Sequence, residues 1–384
     1  MSEQQGFEAS GAAEIVGDPQ VFLKTPNGQM IHGNSVDYLS SLPPDSVDLI
    51  VTSPPFALVA EKEYGNVPGD EYIAWFRPFA EQFNRVLKDT GSAVLDFGGA
   101  FMPGQPTRHL YQFELMILLC KEYGFYLAQD FYWFNPARLP SPAEWVTIRR
   151  IRVKDAINTV WWLSKTPWPK ASNTRVLQPY SPSMKRLFKN GYNAGPRPSG
   201  HVVSDTFAID HGGAIPPNLL AISNTESNSN YLRYCKRNGL KAHPARFPSE
   251  LPEFFIRMLT DEGDLVIDPF GGSCVTGEVA ERLGRSWRCV ELRKDYLTAA
   301  MGRFVRVNGH YVLAEPGQSR KTQQYTMFRP GGLWSDGEHK PLQKDGGKKH
   351  RERRSVEPQK TERAPKNERA EQAAPSFQFG VKDV

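Results

Sequence analysis

Cysteine is scarce in this chain of 384 residues, and the four present (Cys120, Cys235, Cys274 and Cys289) lie far apart. They form no C-x-x-C pair and fit no zinc-ligand spacing, which argues against a disulfide scaffold or a zinc module; no metal site is expected. The thiols are expected to be reduced, as in a cytoplasmic protein. Long apolar runs are missing as well. The longest, around 113–120, falls far short of the roughly 20 residues that a membrane-spanning helix needs. The first residues lack the charged start, apolar middle and small-residue cleavage site of a secretion signal, so secretion is not expected. Nor is there a large excess of one charge: 47 Lys and Arg face 42 Asp and Glu, for a net +5.

What charge remains is unevenly placed. Residues 331–384 hold 12 Lys and Arg against 9 Asp and Glu, so +3 of the +5 sits there. Aliphatic side chains nearly vanish between 338 and 372, where the chain runs through KKHRERR and KTERAPKNERAEQ. Such a segment cannot bury enough apolar surface to offset its ordering entropy, so 329–384 is expected to be a disordered charged tail. It would be either simply solvated or a non-specific tether to DNA. The small, polar residues 1–17 are expected to be flexible. The ordered body is expected at 18–328, and a block rich in Asn, Ser, Pro and Gly at 167–241 divides it. That block is too long for a passive loop, and its interleaved aromatic and basic residues favour a folded module.

Within the body, short apolar runs at 30–32, 47–52, 92–97, 127–134, 159–164, 265–268 and 287–291 read as strands. Amphipathic stretches at 71–88, 113–123, 248–260, 273–283 and 295–305 read as helices, the third with Ser249 as its cap. The alternation predicts an α/β fold with a mostly parallel sheet covered on both faces. Ligands in such sheets bind at the carboxyl ends of strands. Three strands end there in polar, Gly- or Pro-rich turns: TSPPF, DFGG and DPFGGS.

In Asp268-Pro269-Phe270-Gly271-Gly272-Ser273 a buried strand ends in an acid, and two glycines precede a helix. Glycine admits a ligand close to the backbone, and a helix start offers unpaired N–H groups. The next strand ends at Glu291, a spacing that suits an acid accepting from a ribose hydroxyl pair. Glu278 stands where a phosphate-binding loop requires lysine, so the ligand is a nucleoside without a bound polyphosphate. In Thr52-Ser53-Pro54-Pro55-Phe56, two prolines leave carbonyls that no local N–H satisfies. Those carbonyls, the Ser53 hydroxyl and the flat face of Phe56 form an acceptor array beside an aromatic platform. That array fits a base with an exocyclic amino group. Taken singly, each turn is an ordinary connection; their conjunction carries the reading.

TSPPF followed by a later DPFGGS, with HPARFPSELP just upstream of the latter, resembles the β class of DNA amino-methyltransferases. The resemblance spans roughly 20–310. It implies a Rossmann-like methyltransferase fold with a mostly parallel seven-stranded sheet, a circularly permuted motif order and an inserted target recognition region. The domains would then be a catalytic half at 18–166, a recognition region at 167–241 and an S-adenosylmethionine-binding half at 242–328. It further implies that Asp268, Phe270, Gly271, Gly272 and Ser273 embrace the methionine half of S-adenosylmethionine, and that Glu291 binds its ribose. Asn34 would meet the adenine ring, and Ser249 the carboxylate. For catalysis it implies Ser53, Pro54, Pro55 and Phe56 around a flipped base, with Asp96 as the ring contact or proton relay. Cys274 departs from the class, which usually carries Gly or Asn there.

The resemblance is to cytosine-N4 members in particular, one of which has the site CAGCTG. The expected partner is double-stranded DNA, with no membrane, and a cognate restriction endonuclease would share the system. N6-adenine methylation is the alternative, disfavoured because adenine enzymes usually place an acid or amide before Pro-Pro. An inactive DNA- or RNA-binding relative and an RNA methyltransferase are further readings. Carbon-5 methylation is excluded, since no cysteine here follows a proline.

Overall fold

The computed structural model describes residues 17–58, 65–191, 209–225 and 229–304, with a few positions between and after them. The expected tail at 329–384 and all but the last residue of the expected flexible N-terminus lie outside the described residues. In chain order the first half contains β1 (Gln20–Lys24), β2 (Gly28–His32), α1 (Ser35–Ser40), β3 (Val47–Thr52), α2 (Gly69–Val86), β4 (Leu87–Phe97), α3 (Tyr111–Lys121), β5 (Tyr126–Phe134) and β6 (Ile157–Ser164). The central block contributes α4 (Pro182–Asn190), the short pair β7 (Gly195–Pro196) and β8 (Val202–Val203), β9 (Leu219–Ala221) and α5 (Asn230–Arg237). There follow α6 (Glu250–Leu259), β10 (Leu265–Asp268), α7 (Val275–Arg282), β11 (Ser286–Glu291), α8 (Lys294–Ala300) and a second short pair, β12 (Arg306–Val307) and β13 (His310–Tyr311).

The main sheet runs β1-β2-β11-β10-β3-β4-β6-β5-β9. Its centre, from β2 to β4, is parallel throughout, and β6 reverses direction between β4 and β5. Every residue of β3 is buried, as a central parallel strand covered on both sides requires. Leu49 and Val51 point to one face with Val94, Val266 and the helices α6 and α7. Ile50 points to the other with Leu95, Ile267 and the aromatic stripe Tyr72, Phe76, Phe79 and Phe83 of α2. The sheet thus has the α/β architecture that the alternation of elements implies.

Several boundaries differ from the sequence reading. The sheet has nine strands, two beyond the seven expected. β1 closes a hairpin on β2, and β9 pairs with β5 over three residues, too few to show a period. Leu87 lies in β4 rather than on the stripe of α2, because β4 begins directly after Val86. Helix α7 begins at Val275 instead of 273. Both Gly272 (φ 50°) and Cys274 (φ 53°) adopt the left-handed conformation, which a helix cannot continue through. Ser249 does not cap α6. Its own backbone is already helical, and its hydroxyl lies 3.2 Å from the Glu250 carboxylate instead of accepting from the helix start.

Candidate active site

Strands β3, β4 and β10 are neighbours, so their carboxyl ends bring the TSPPF, DFGG and DPFGGS turns to one edge of the sheet. Thr52, at the end of β3, donates from Oγ1 to Oδ1 of Asp268 at 2.6 Å, joining two of these turns. Thr276 of α7 donates to the other Asp268 oxygen at 2.7 Å, and the Phe270 N–H to the first at 3.1 Å. Asp268 is 1% exposed. Burial pushes its carboxyl up to about 6, against the pull of these three donors. Its side chain therefore fastens the turns together from within.

The third turn is tied in by Ser53, whose Oγ donates to Oδ2 of Asp96 at 3.0 Å. Asp96, next to last in β4, is only 4% exposed, and burial raises its carboxyl to about 6 although Asn158 and Ser53 both donate to it. Among the described residues no donor reaches the Pro54 carbonyl, whereas the Pro55 carbonyl accepts from the Tyr72 hydroxyl at 2.7 Å. The two prolines thus part company: Pro55 is anchored on α2, and Pro54 keeps an acceptor beside Ser53. The Phe56 ring packs against Gly98, where an added Cβ would come within 2.5 Å of it. The first glycine of DFGG is therefore a seat for the aromatic platform. A small cleft opens beside Asp96, lined by Thr52, Val94, Val160, Phe247, Leu251 and Phe255. Phe247 and the start of α6, both from the HPARFPSELP segment, form its opposite wall.

Around the DPFGGS turn, Gly271 donates its N–H to the Val290 carbonyl at 2.8 Å, and Gly272 to Oε2 of Glu291 at 2.8 Å. The Arg293 N–H donates to Glu291 Oε1 at 2.9 Å. Burial drives the Glu291 carboxyl up to about 7, and the nearby charge of Asp268 adds to the rise. Phe270 packs one side on Phe79 and Trp75 of α2, with ring centroids 4.9 and 5.8 Å away. Ser273 is turned inward: Arg303 donates to its carbonyl at 2.6 Å and to its hydroxyl at 3.2 Å, and pairs with Glu278 at 2.7 Å. Asn34 is exposed and caps α1, its side-chain oxygen accepting from the Val36 N–H at 2.8 Å. His243 packs its ring on Tyr296 at 4.3 Å, and burial holds its imidazole down at about 4, hence neutral.

The structure brings Ser53 onto Asp96, which lines the cleft, and sets Phe56 against Gly98, two residues beyond Asp96. Asp268 and Glu291 end the adjacent strands β10 and β11, and Gly271 and Gly272 lie in the turn that follows Asp268. Ser249 stands apart from these hydrogen bonds, at the start of α6. Thr276, Asn158, Arg138 and Arg303 carry no signal in the sequence, and Thr52 is visible there only as the first residue of TSPPF. All five are common polar residue types, and only the tertiary fold gives them their partners.

Two carboxyls driven up by burial, an aromatic ring and closely packed glycine backbone make an acceptor-rich, partly apolar wall. S-adenosylmethionine presents ribose hydroxyls, an ammonium and a sulfonium, all donors or cations, so this wall fits it. It is the methyl donor of the family whose model matches this chain.

The model of the N6/N4 methyltransferase family, described as DNA methylase, matches residues 47–302. The chain is 56% identical over 287 residues to Type II methyltransferase M.PvuII of Proteus hauseri, covering 74% of this chain and 85% of that protein. It is 27% identical over 288 residues to Type II methyltransferase M.BglII of Bacillus subtilis, covering 73% of this chain and 70% of that one. Among solved structures it resembles the PvuII DNA methyltransferase (cytosine-N4-specific), with 51% identity and a TM-score of 0.61 over 74% of this chain and 88% of that one. With both halves of its site inside the matched span, the chain belongs to the N6/N4 family of DNA methylases, enzymes that transfer a methyl group from S-adenosylmethionine.

Proposed function

We propose that this protein methylates N4 of a cytosine turned out of a DNA duplex, within a short palindromic site, CAGCTG. The observation that carries the proposal is the hydrogen bond from Ser53 to Asp96 beside the Pro54 carbonyl, which no donor among the described residues reaches. A cytosine amine is a poor nucleophile because its lone pair is delocalised into the ring. Ser53 spends its one proton on Asp96, so its lone pairs and the Pro54 carbonyl are both acceptors for the two amine hydrogens. Held out of the ring plane by those acceptors, the nitrogen lone pair localises on the open side. S-adenosylmethionine, when bound, supplies an electrophilic methyl there, held by the Phe270–Gly272 turn and Glu291. As the N–C bond forms, the donor's S–CH3 bond would break to leave a neutral thioether, and the nitrogen must lose a proton. Ser53 takes it while passing its own to Asp96, whose carboxylate is ionised above about pH 6. Phe56 stacks on the ring, and the cleft wall at Phe247 excludes water.

The base must leave the stack because its amine is otherwise buried in pairing. Recognition falls to the central block, where Lys185, Arg186 and Lys189 lie exposed on α4 and Lys236 on α5. Arg197, of the same basic group, lies outside the described residues. Ser rather than an acid or amide before Pro-Pro supports cytosine over adenine, as does the 51% identity to the solved cytosine-N4-specific PvuII DNA methyltransferase. A cognate endonuclease of the same specificity would complete a restriction–modification system without needing to bind this chain.

The test is to methylate duplexes with and without CAGCTG using labelled S-adenosylmethionine and digest them to nucleosides. Label in N4-methylcytosine, dependent on CAGCTG, is expected. Label in N6-methyladenine would overturn the base assignment, and label independent of CAGCTG would overturn the site.

A further inference from the structure

Asn158 belongs to no motif, yet it stands on β6 only 5% exposed. Strands β4 and β6 pair antiparallel with Asp96 opposite Val160, so Asn158, two residues along, projects from the same face beside Asp96. Its Nδ2 lies 3.1 and 3.3 Å from the two Asp96 oxygens. Its Oδ1 accepts from Nη1 of Arg138, in the connection between β5 and β6, at 3.2 Å. An amide can be turned either way, but a guanidinium offers only donors. Arg138 therefore holds the amide oxygen toward itself and the NH2 group toward Asp96. Asp96 then meets donors from both sides, Asn158 and Ser53, and must accept from each. With its proton committed to Asp96, Ser53 presents only lone pairs to the cleft. A single surface cation thus sets the direction of every hydrogen bond in a line of four residues.

We infer that Asn158 and Arg138 are positioning residues for methyl transfer, polarising the line Arg138–Asn158–Asp96–Ser53 so that Ser53 accepts from the amine of the target base. This rests on the reading of Ser53 and Asp96 as the pair that acts on the amine. The other groups around Asp96 do not supply that polarity. Tyr111 of α3 commits its hydroxyl to the Gly98 carbonyl at 2.6 Å. The end of β3 contributes the neutral Thr52 and Ser53, and α6 with its approach contributes apolar Phe247, Leu251, Pro252 and Phe255. Among the described residues Arg138 is the cation that bears on Asp96.

The decisive variant is Asn158→Asp, which keeps the shape but replaces the donor with a titratable oxygen. Protonated, Asp at 158 still donates to Asp96 and reproduces the native polarity. Ionised, it opposes Asp96 with like charge, and the two carboxyls titrate as a pair. Between about pH 5.5 and 9, kcat of this variant should therefore fall as pH rises, the reverse of the wild-type limb. At the alkaline end it should lie about 100-fold below wild type, with KM for DNA changed less than about threefold. The exposed Arg138 provides a second readout that does not disturb the core. Arg138→Met should lower kcat about tenfold, and Arg138→Lys, which keeps a donor, should restore most of it.

A wild-type-like pH limb in Asn158→Asp would overturn the inference. So would an effect of Arg138→Met confined to KM and salt dependence, the mark of a phosphate contact. Ser53→Ala and Asp96→Ala separate this inference from the reading beneath it. If both lose turnover while the Asn158 and Arg138 variants behave as wild type, only the positioning role fails. If Ser53→Ala and Asp96→Ala remain fully active, the reading of the site itself fails.

Discussion

Thr52 and Asp268, separated by 216 positions in the chain, meet through a 2.6 Å hydrogen bond from the Thr52 hydroxyl to the Asp268 carboxylate. The contact exists because β3 and β10 pair in parallel, with Leu49 beside Val266 and Ile50 beside Ile267. Both strands then end at the same edge. The TSPPF and DPFGGS turns, proposed to face the base and the methyl donor, are thereby fixed to one another by a buried side-chain bond. Methyl transfer is an in-line displacement that depends on placement, so this fastening matters to rate as well as to stability.

Thr52→Val tests the fastening. It keeps the shape of the side chain and leaves Asp268 one donor short in a buried setting, at a cost of about 1–3 kcal/mol. Urea unfolding should show that loss at neutral pH. Turnover should fall further than cofactor affinity, because the two turns lose their common reference. Unchanged stability would mean that Thr276 and the Phe270 N–H alone satisfy the carboxylate.

Asp96 should trade stability for activity. Its carboxyl sits at about 6 in the folded protein, raised by burial from an ordinary carboxylate value in the unfolded chain. Between those values the native state holds a proton that the unfolded state releases, so stability falls as pH rises through the window and stays lower above it. Asp96→Asn should therefore be more stable than wild type at pH 8, by about 1–3 kcal/mol, and lose that advantage near pH 4. Its turnover should drop at least about 100-fold. Wild-type activity should rise with pH through about 6, as the carboxylate becomes able to accept.

Glu291 predicts a pH dependence of cofactor binding. Burial places its carboxyl at about 7, and only the ionised form accepts on both oxygens from a ribose diol. Calorimetric affinity for S-adenosylmethionine should tighten as pH rises from 6 to 8 and then level off. Glu291→Gln should bind about tenfold more weakly at pH 8, with the slope removed. A slope that survives in Glu291→Gln would assign the titration to another group.

Gly98→Ala probes the aromatic platform. The added methyl would come within 2.5 Å of the Phe56 ring, which must shift or tilt. On the proposed reading, in which the target base stacks on that ring, kcat/KM should fall about tenfold or more while the urea midpoint moves little. The same variant should leave S-adenosylmethionine affinity intact, since Gly98 lies outside the DPFGGS turn.

The motifs were legible in the sequence because each marks a place where the backbone itself is unusual. TSPPF carries two residues without N–H groups, and DPFGGS two without side chains, both directly after an apolar run. The α/β class was legible for the same kind of reason, from runs of buried residues such as VDLIV alternating with helical stripes such as that of α2. Less legible were the boundaries. Cys274 adopts a left-handed conformation usually left to glycine, so the start of α7 moved by two residues. Ser249 has the residue type of a cap but a backbone already in helical geometry.

Local chemistry thus determined which turns carry function, through prolines, glycines and acids whose effect on the chain needs no distant partner. Which side chains complete those turns was decided only by strand pairing. The antiparallel register of β6 on β4 sets Asn158 beside Asp96, and the parallel register of β10 on β3 sets Thr52 beside Asp268. Asparagine and threonine are common; Asn158 has no motif around it, and Thr52, although it opens TSPPF, has nothing along the chain to announce Asp268 as its partner. They acquire a role because a carboxylate withdrawn from water must take its hydrogen bonds from the protein donors around it, and that condition arises only once the sheet has formed.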